Sequence, residues 1–204
     1  MLRGIRWLSY GLIAFVLLSG GVFLVLRPQP GQSRAGAAVP GGVSVGGPFS
    51  LTDEHGAHVT DASYRGRWML VYFGYTFCPD VCPTDLQHIA TALDRLGPQA
   101  ASVAPLFITI DPARDTPATL AAYTALFDPR IIGLTGTAAQ IAAAAGAYRV
   151  YYAKVTPKGS ATYAMDHSAF IYLMGPHGKF RALFPQDTTP QQLADAIHAQ
   201  MGTS

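Results

Sequence analysis

Apolar and polar positions divide the chain into three stretches. Residues Trp7–Leu26 form a 20-residue run without a charge, long enough to cross a hydrocarbon core of about 30 Å. From Pro28 to Gly47 the sequence turns to Gly, Pro, Ala and Ser. Such a stretch cannot bury enough surface to offset chain entropy, and it predicts a flexible tether. From Pro48 onward, short apolar runs alternate with helical patterns. Phe49–Leu51 and His58–Thr60 flank Asp53-Glu54-His55-Gly56, as strands flank a hairpin turn. Trp68–Phe73 and Val103–Thr109 are continuous apolar runs of strand length, expected where both faces of a strand are buried. Between them a helix is predicted from about Pro83 to Leu96, stopped by Gly97-Pro98. Thr116-Pro117 joins an N-cap to a proline at the first helical position and opens a helix to Phe127. Thr137-Ala-Ala-Gln140 has the spacing of a capping box and opens an Ala-rich helix to Ala145. Ile131–Leu134, Arg149–Val155, Ala169–Met174 and Lys179–Phe184 read as further strands, and Thr189-Pro190 opens a last helix to about Met201. Alternating β and α units predict an α/β domain, a central sheet with parallel strands flanked by helices on both faces. The expected organisation is a membrane anchor over residues 1–27, a flexible linker over 28–47 and one globular domain over 48–204.

Charge sharpens the reading of the N-terminus. All 12 acidic residues lie after position 52, whereas Arg3, Arg6, Arg27 and Arg34 precede it; taking those four from the 14 basic residues leaves ten against twelve. The net +2 of the whole chain therefore belongs to the flanks of the apolar run. No basic cluster with interleaved aromatics is present, so a nucleic-acid surface is not expected. The run exceeds the ~7–15 residues of a signal-peptide core, which favours an uncleaved anchor over a cleaved signal ending near Ala35-Gly36-Ala37. No cysteine follows the run, so a lipoprotein anchor is excluded. Either way, most of the chain is exported.

The chain has two cysteines, Cys78 and Cys82, in Gly74-Tyr-Thr-Phe-Cys-Pro-Asp-Val-Cys-Pro-Thr, between a buried strand and a helix. Strand carboxyl ends are where open α/β sheets build their sites. Residues four apart share one side of a helical turn, and a helix N-terminus favours thiolate. A structural disulfide would close too short a loop to constrain much of the unfolded chain. Thioredoxin-type enzymes place two residues between their thiols and this chain places three, which loosens that redox geometry without forbidding it. Two thiolates also make a soft pair suited to Cu(I), while structural zinc usually requires four protein ligands.

Of six histidines, His55 and His58 belong to the hairpin, His88 to the helix after the cysteines, His177 to a Gly-Pro-His-Gly turn and His198 to the last helix, all ordinary surface positions. His167, in Met165-Asp166-His167-Ser168, directly precedes the apolar run Ala169–Met174. In a thioredoxin-like fold that segment passes beside the cysteine loop. Redox members of that fold usually carry a cis-proline there, and here there is none between Lys158 and Pro176. A histidine in that place can complete a Cys-Cys-His set for copper.

Three segments, Tyr72-Phe-Gly-Tyr-Thr-Phe-Cys-Pro-Asp-Val-Cys-Pro-Thr, Thr109-Ile-Asp-Pro-Ala-Arg-Asp-Thr-Pro and Asp166-His-Ser-Ala, closely resemble the Sco/SenC family of copper chaperones, from about Gly47 to the C-terminus. The resemblance implies a thioredoxin-like fold and Cu(I) or Cu(II) held by Cys78, Cys82 and His167. It also implies delivery to the binuclear copper site of cytochrome c oxidase. The expected partner is the copper-receiving oxidase subunit, with other periplasmic copper chaperones or thioredoxin-like reductants as further contacts. On this reading the protein is not an enzyme in the turnover sense. The alternatives are a thiol-disulfide oxidoreductase acting on the acceptor's cysteines and a copper- or redox-responsive signalling protein. A peroxiredoxin-like peroxidase is disfavoured, because Thr76 stands only two residues before Cys78. Asp111, Arg114 and Asp115 of the second motif read either as a capped turn or as support for the metal face. Asp166 is a candidate for orienting His167, and Tyr75 and Phe77 for shielding the thiols or meeting a partner. With no Arg- and Ser-rich leader before the apolar run, the expected location is a bacterial inner membrane with the domain in the periplasm, rather than the mitochondrial inner membrane.

Overall fold

The computed structural model describes residues 44–156, 158–159 and 162–202. The anchor predicted at Trp7–Leu26 and most of the tether lie outside them. Among the described residues, no helix is long and apolar enough to cross a membrane. At their N-terminal end Val45 already packs against the core, and Gly46 N–H donates to the Ala147 carbonyl at 2.9 Å.

The first hairpin pairs β1 (Ser50–Asp53) with β2 (His58–Thr60). Its turn is set by Asp53, whose Oδ1 accepts the backbone N–H groups of His55 and Ala57, and by Gly56 at φ +82°, a left-handed conformation that glycine tolerates. The two apolar runs become β3 (Trp68–Gly74) and β4 (Val103–Thr109), buried along their whole length. The helix between them, α1, spans Val81–Leu96. It starts two residues before the predicted Pro83, because a proline in the first turn gives up an N–H that has no helical partner there. Cys82 therefore lies within the helix rather than in the loop. After β4 come α2 (Pro117–Thr124), β5 (Ile132–Thr135) and α3 (Ala138–Tyr148). Thr116 caps α2 through Thr119 N–H, and the Thr137–Gln140 capping box forms as expected.

The chain departs from expectation next. Instead of one strand over 149–155, Arg149 ends α3 in the left-handed conformation. The chain then forms β6 (Tyr152–Val155), paired with a strand the pattern did not predict, β7 (Ala164–His167). These two make a separate small sheet. The strand expected from Ala169 begins at Ile171 as β8 (Ile171–Met174) and is followed by β9 (Phe180–Phe184) and α4 (Pro190–Met201).

The main sheet has the order β2-β1-β5-β4-β3-β8-β9. Its centre, β5-β4-β3, is parallel, and the outer strands run antiparallel. Helices cover both faces. On one, Tyr72 and Phe107 pack beside each other with Tyr123 of α2; on the other, Phe73 and Tyr172 pack on Tyr148 of α3. The cysteine loop leaves the carboxyl end of central β3, where a site in such a sheet belongs.

Candidate metal centre

Cys78 takes over a job that a capping residue normally does. Asp80, at the N-cap of α1, makes no side-chain cap bond. Cys82 N–H in the first turn points instead at Cys78 Sγ, 3.4 Å away. The sulfur thus sits where orphan N–H groups and the helix dipole favour negative charge. Both cysteines are free and buried, Cys82 completely. The Cys78 thiol is pushed well below the ordinary range, chiefly by the hydrogen bond from the Cys82 thiol. The His167 side chain and the N–H groups of Cys82 and Asp80 act in the same direction, against the effect of burial. That same shared bond, together with burial, pushes the Cys82 thiol up.

His167, the last residue of β7, brings Nε2 to 3.7 Å from Cys82 Sγ. Two ligands each about 2.0–2.3 Å from one ion, as imidazole nitrogen and thiolate sulfur are in zinc sites, lie ~3.5–4 Å apart at an open angle. The observed spacing therefore suits two donors sharing an ion. The ring stands edge-on to Tyr75 at 6.0 Å and to Tyr72 at 6.4 Å. Its Nδ1 meets the Ser168 carbonyl at 3.2 Å, so the group placed to orient it is this carbonyl rather than the exposed Asp166. His167 also lines an open cleft of about 600 Å³ with Phe170, Pro185 and Asp187. Among the described residues, no group of three or more His, Cys, Asp or Glu side chains is already placed to hold a metal ion. What is present is a buried pair of soft sulfurs with an imidazole beside it that also lines a cleft, a donor set whose chemistry suits copper. The other histidines stay away from it: His58 bonds Ser50 in the hairpin, His55 and His177 are in turns, and His88 and His198 lie on helices.

The second motif supports this face. Asp115, 1% exposed, accepts hydrogen bonds from Thr76 N–H at 3.1 Å, Thr76 Oγ1 at 2.6 Å and Thr109 Oγ1 at 2.6 Å. It thereby ties the cysteine loop to the end of β4, while the neighbouring helix is capped by Thr116 alone. Tyr75 is buried, whereas Phe77 is 64% exposed and stands at the rim.

Sequence reading missed Asp85 and Tyr72 behind the thiols. Asp85 is three residues past Cys82 on α1, a helical spacing that would have pointed to it. Its carboxyl oxygens and the Tyr72 hydroxyl are buried without a completed hydrogen bond, although the phenol is close enough to favour the carboxylate somewhat. Burial is the larger effect and lifts the Asp85 carboxyl from 3.8 to about 6. Between those values the folded state holds a proton that the unfolded chain releases, so stability falls as pH rises through this window. Asp85→Asn, neutral throughout, is expected to remove that fall and to stabilise the reduced, copper-free chain by about 2 kcal/mol at pH 7. Urea unfolding of both forms from pH 4 to 7 checks this, and parallel profiles would show that Asp85 ionises without penalty.

A profile of the SCO1/SenC family matches residues 38–202. Protein SenC of Rhodobacter capsulatus is 48% identical over 153 residues, spanning 75% of this chain and 69% of the relative. The structure of Bradyrhizobium japonicum ScoI with copper bound is 48% identical, with a TM-score of 0.70 over 76% of this chain and 98% of that one. Arabidopsis thaliana ScoI with copper bound gives a TM-score of 0.74 at 37% identity, covering 78% and 99%. The common fold is thioredoxin-like, as the three motifs implied. Matched in sequence along nearly all of its described length and in fold to solved members, this chain belongs to the SCO1/SenC family.

Proposed function

We propose that this protein is a copper metallochaperone that holds the ion through Cys78, Cys82 and His167 and delivers it to the copper-receiving subunit of cytochrome c oxidase. The observation that carries this reading is the approach of His167 Nε2 to Cys82 Sγ, with His167 itself lining a cleft. Copper-bound relatives with the same fold support it. Cys78 is the ready nucleophile for the ion, and Cys82 releases its proton as the ion arrives, since a bound thiol is deprotonated. With few ligands and one open side, an acceptor's ligands can enter before the protein's leave, so transfer proceeds by exchange without release of free ion. An anchor over residues 1–27 and a linker over 28–47 would hold the 48–204 domain at the periplasmic face of a bacterial inner membrane, raising its effective concentration near a membrane-bound acceptor.

A second reading is supported by the unequal thiols. A Cys78 thiol pushed down beside a buried Cys82 thiol pushed up is also a pair suited to disulfide exchange, which would reduce the acceptor's cysteines before loading them. The two readings part at His167, which exchange does not need. The reduced full-length chain, loaded anaerobically with Cu(I) and desalted, is expected to retain about one copper per chain. His167→Ala and the double variant Cys78→Ser, Cys82→Ser are expected to retain little. No copper in the unmodified chain, alongside reversible oxidation of the pair, would give the protein to the exchange reading.

A further inference from the structure

We propose that Arg114 is a positioning residue, a latch that holds the β6–β7 hairpin, and with it His167, against the cysteine loop. The proposal rests on His167 being a copper ligand. His167 is not delivered by the main sheet. It comes on a hairpin whose strands pair only with each other, so its position depends on side-chain contacts to the rest of the domain. Tyr152 and Met165 pack on the core, and Arg114 supplies a polar and stacking set. Its Nη1 donates to the Tyr163 carbonyl at 3.1 Å, and its Nε pairs with Asp111. The Tyr163 hydroxyl donates to the other Asp111 oxygen at 3.0 Å. The guanidinium lies 3.8 Å from the centre of the Tyr163 ring, 4.6 Å from that of Phe77 and 5.8 Å from that of Tyr75. One planar cation thus touches the hairpin through Tyr163 and the cysteine loop through Phe77 and Tyr75.

The platform under Arg114 does not move easily. Asp111 N–H donates to Thr109 Oγ1, and Asp115 next door is bonded to Thr76 and Thr109. The hairpin, which shares no ladder with the main sheet, is the less firmly held partner of the two. Tyr75 adds a contact of its own to the backbone at Met165, and Ser168 N–H donates to the Tyr151 carbonyl within the hairpin. The guanidinium itself is held through Nε, Nη1 and the ring faces, since its buried Nη2 has no hydrogen-bond partner. A lysine in its place keeps the charge but loses the fork and the flat stacking surface.

The test uses the reduced full-length chain and two readouts. In the copper-free protein, hydrogen exchange of the amides at 152–155 and 164–167 is expected to speed up at least tenfold in Arg114→Ala, with β3 and β4 unchanged. In the Cu(I)-loaded protein, transfer to the chelator bicinchoninate is expected to accelerate at least tenfold in the same variant. In a His167→Ala background Arg114→Ala should still speed exchange in the hairpin but should not lower the residual copper left after desalting, because a latch acts on copper only through the residue it holds. Arg114→Lys is expected to resemble alanine in both readouts. Tyr163→Phe, which keeps the ring and loses the bond to Asp111, should fall between. These milder variants carry the test should Arg114→Ala unfold. Unchanged exchange and transfer in Arg114→Ala or Arg114→Lys, or a further drop in copper retention when Arg114→Ala is added to His167→Ala, overturns the latch. A His167→Ala chain that keeps copper like the unmodified one removes the ligand assignment instead, and the proposal with it.

Discussion

Asp115→Ala is expected to destabilise the reduced, copper-free chain by about 3–5 kcal/mol, because its carboxylate is the sole acceptor drawn to three donors in a place that excludes water. Thr76 contributes both its N–H and its hydroxyl, and Thr109 its hydroxyl. Each bond to a charged group is worth ~1.5–3 kcal/mol, and the three share one carboxylate, so their values do not add fully. The loss reaches the site because Thr76 is two residues from Cys78. Without its anchor, the loop that presents the sulfur to α1 is no longer pinned to β4, and copper retention should fall with stability. Asp115→Asn keeps one acceptor oxygen and is expected to lose about half as much. Urea unfolding of the three forms decides it. A loss below ~1 kcal/mol for alanine would mean that the loop is held by its own turn, the Cys78 N–H to Tyr75 carbonyl bond, and not by Asp115.

Gly74→Ala is the second large effect, and it acts directly on Cys82. A methyl at position 74 would stand 2.7 Å from Phe107 Cε2, 2.9 Å from Cys82 Sγ and 3.0 Å from Tyr72 Cε1. All three residues are fully buried, and the two rings are packed beside each other at 6.2 Å, so the sulfur is the atom free to give way. Overpacking of this kind costs ~1–3 kcal/mol. Glycine here meets a need for space; position 74 is not in the left-handed region. Ligand atoms must sit within about 0.2 Å of their proper distance from a metal, and a displaced Cys82 no longer meets that tolerance together with His167. Cu(I) affinity, measured by competition with a chelator, is expected to fall at least tenfold, or about 1.4 kcal/mol. Adding Phe107→Leu, which opens room on the other side of the methyl, should restore part of it. Undiminished affinity in Gly74→Ala would show that the sulfur has slack, and would weaken the view that Cys82 is held in place by packing.

Much of this architecture is legible along the chain because its causes are local. Threonines 116, 137 and 189 cap α2, α3 and α4 from within three residues. Asp53 and Gly56 shape their own turn. The runs at 68–74 and 103–109 need only their own hydrophobicity to declare buried strands. The cysteine pair shows itself by spacing, and the three motifs carry the family. β7 was not legible: Ala-Met-Asp-His is four residues long, half-exposed and without alternation, and it is a strand only because Tyr152–Val155 lies beside it.

Local pattern along the chain is enough for the helix boundaries to within a few residues, the two buried strands, the alternating order that makes a parallel centre, and the candidate residues of the site. Which of those residues meet was decided only by the tertiary structure. Cys82 and His167 are 85 positions apart, and Thr76 and Asp115 are 39 apart. Contacts at such separations leave no periodic trace, because they follow from how an open sheet and a separate hairpin bring distant segments together. The same holds for Gly74, whose need to be small appears only once a ring and a sulfur press on it from other parts of the fold. It holds too for Arg114, a charge in a loop by sequence, which folding places between a ligand's hairpin and the loop carrying the thiols.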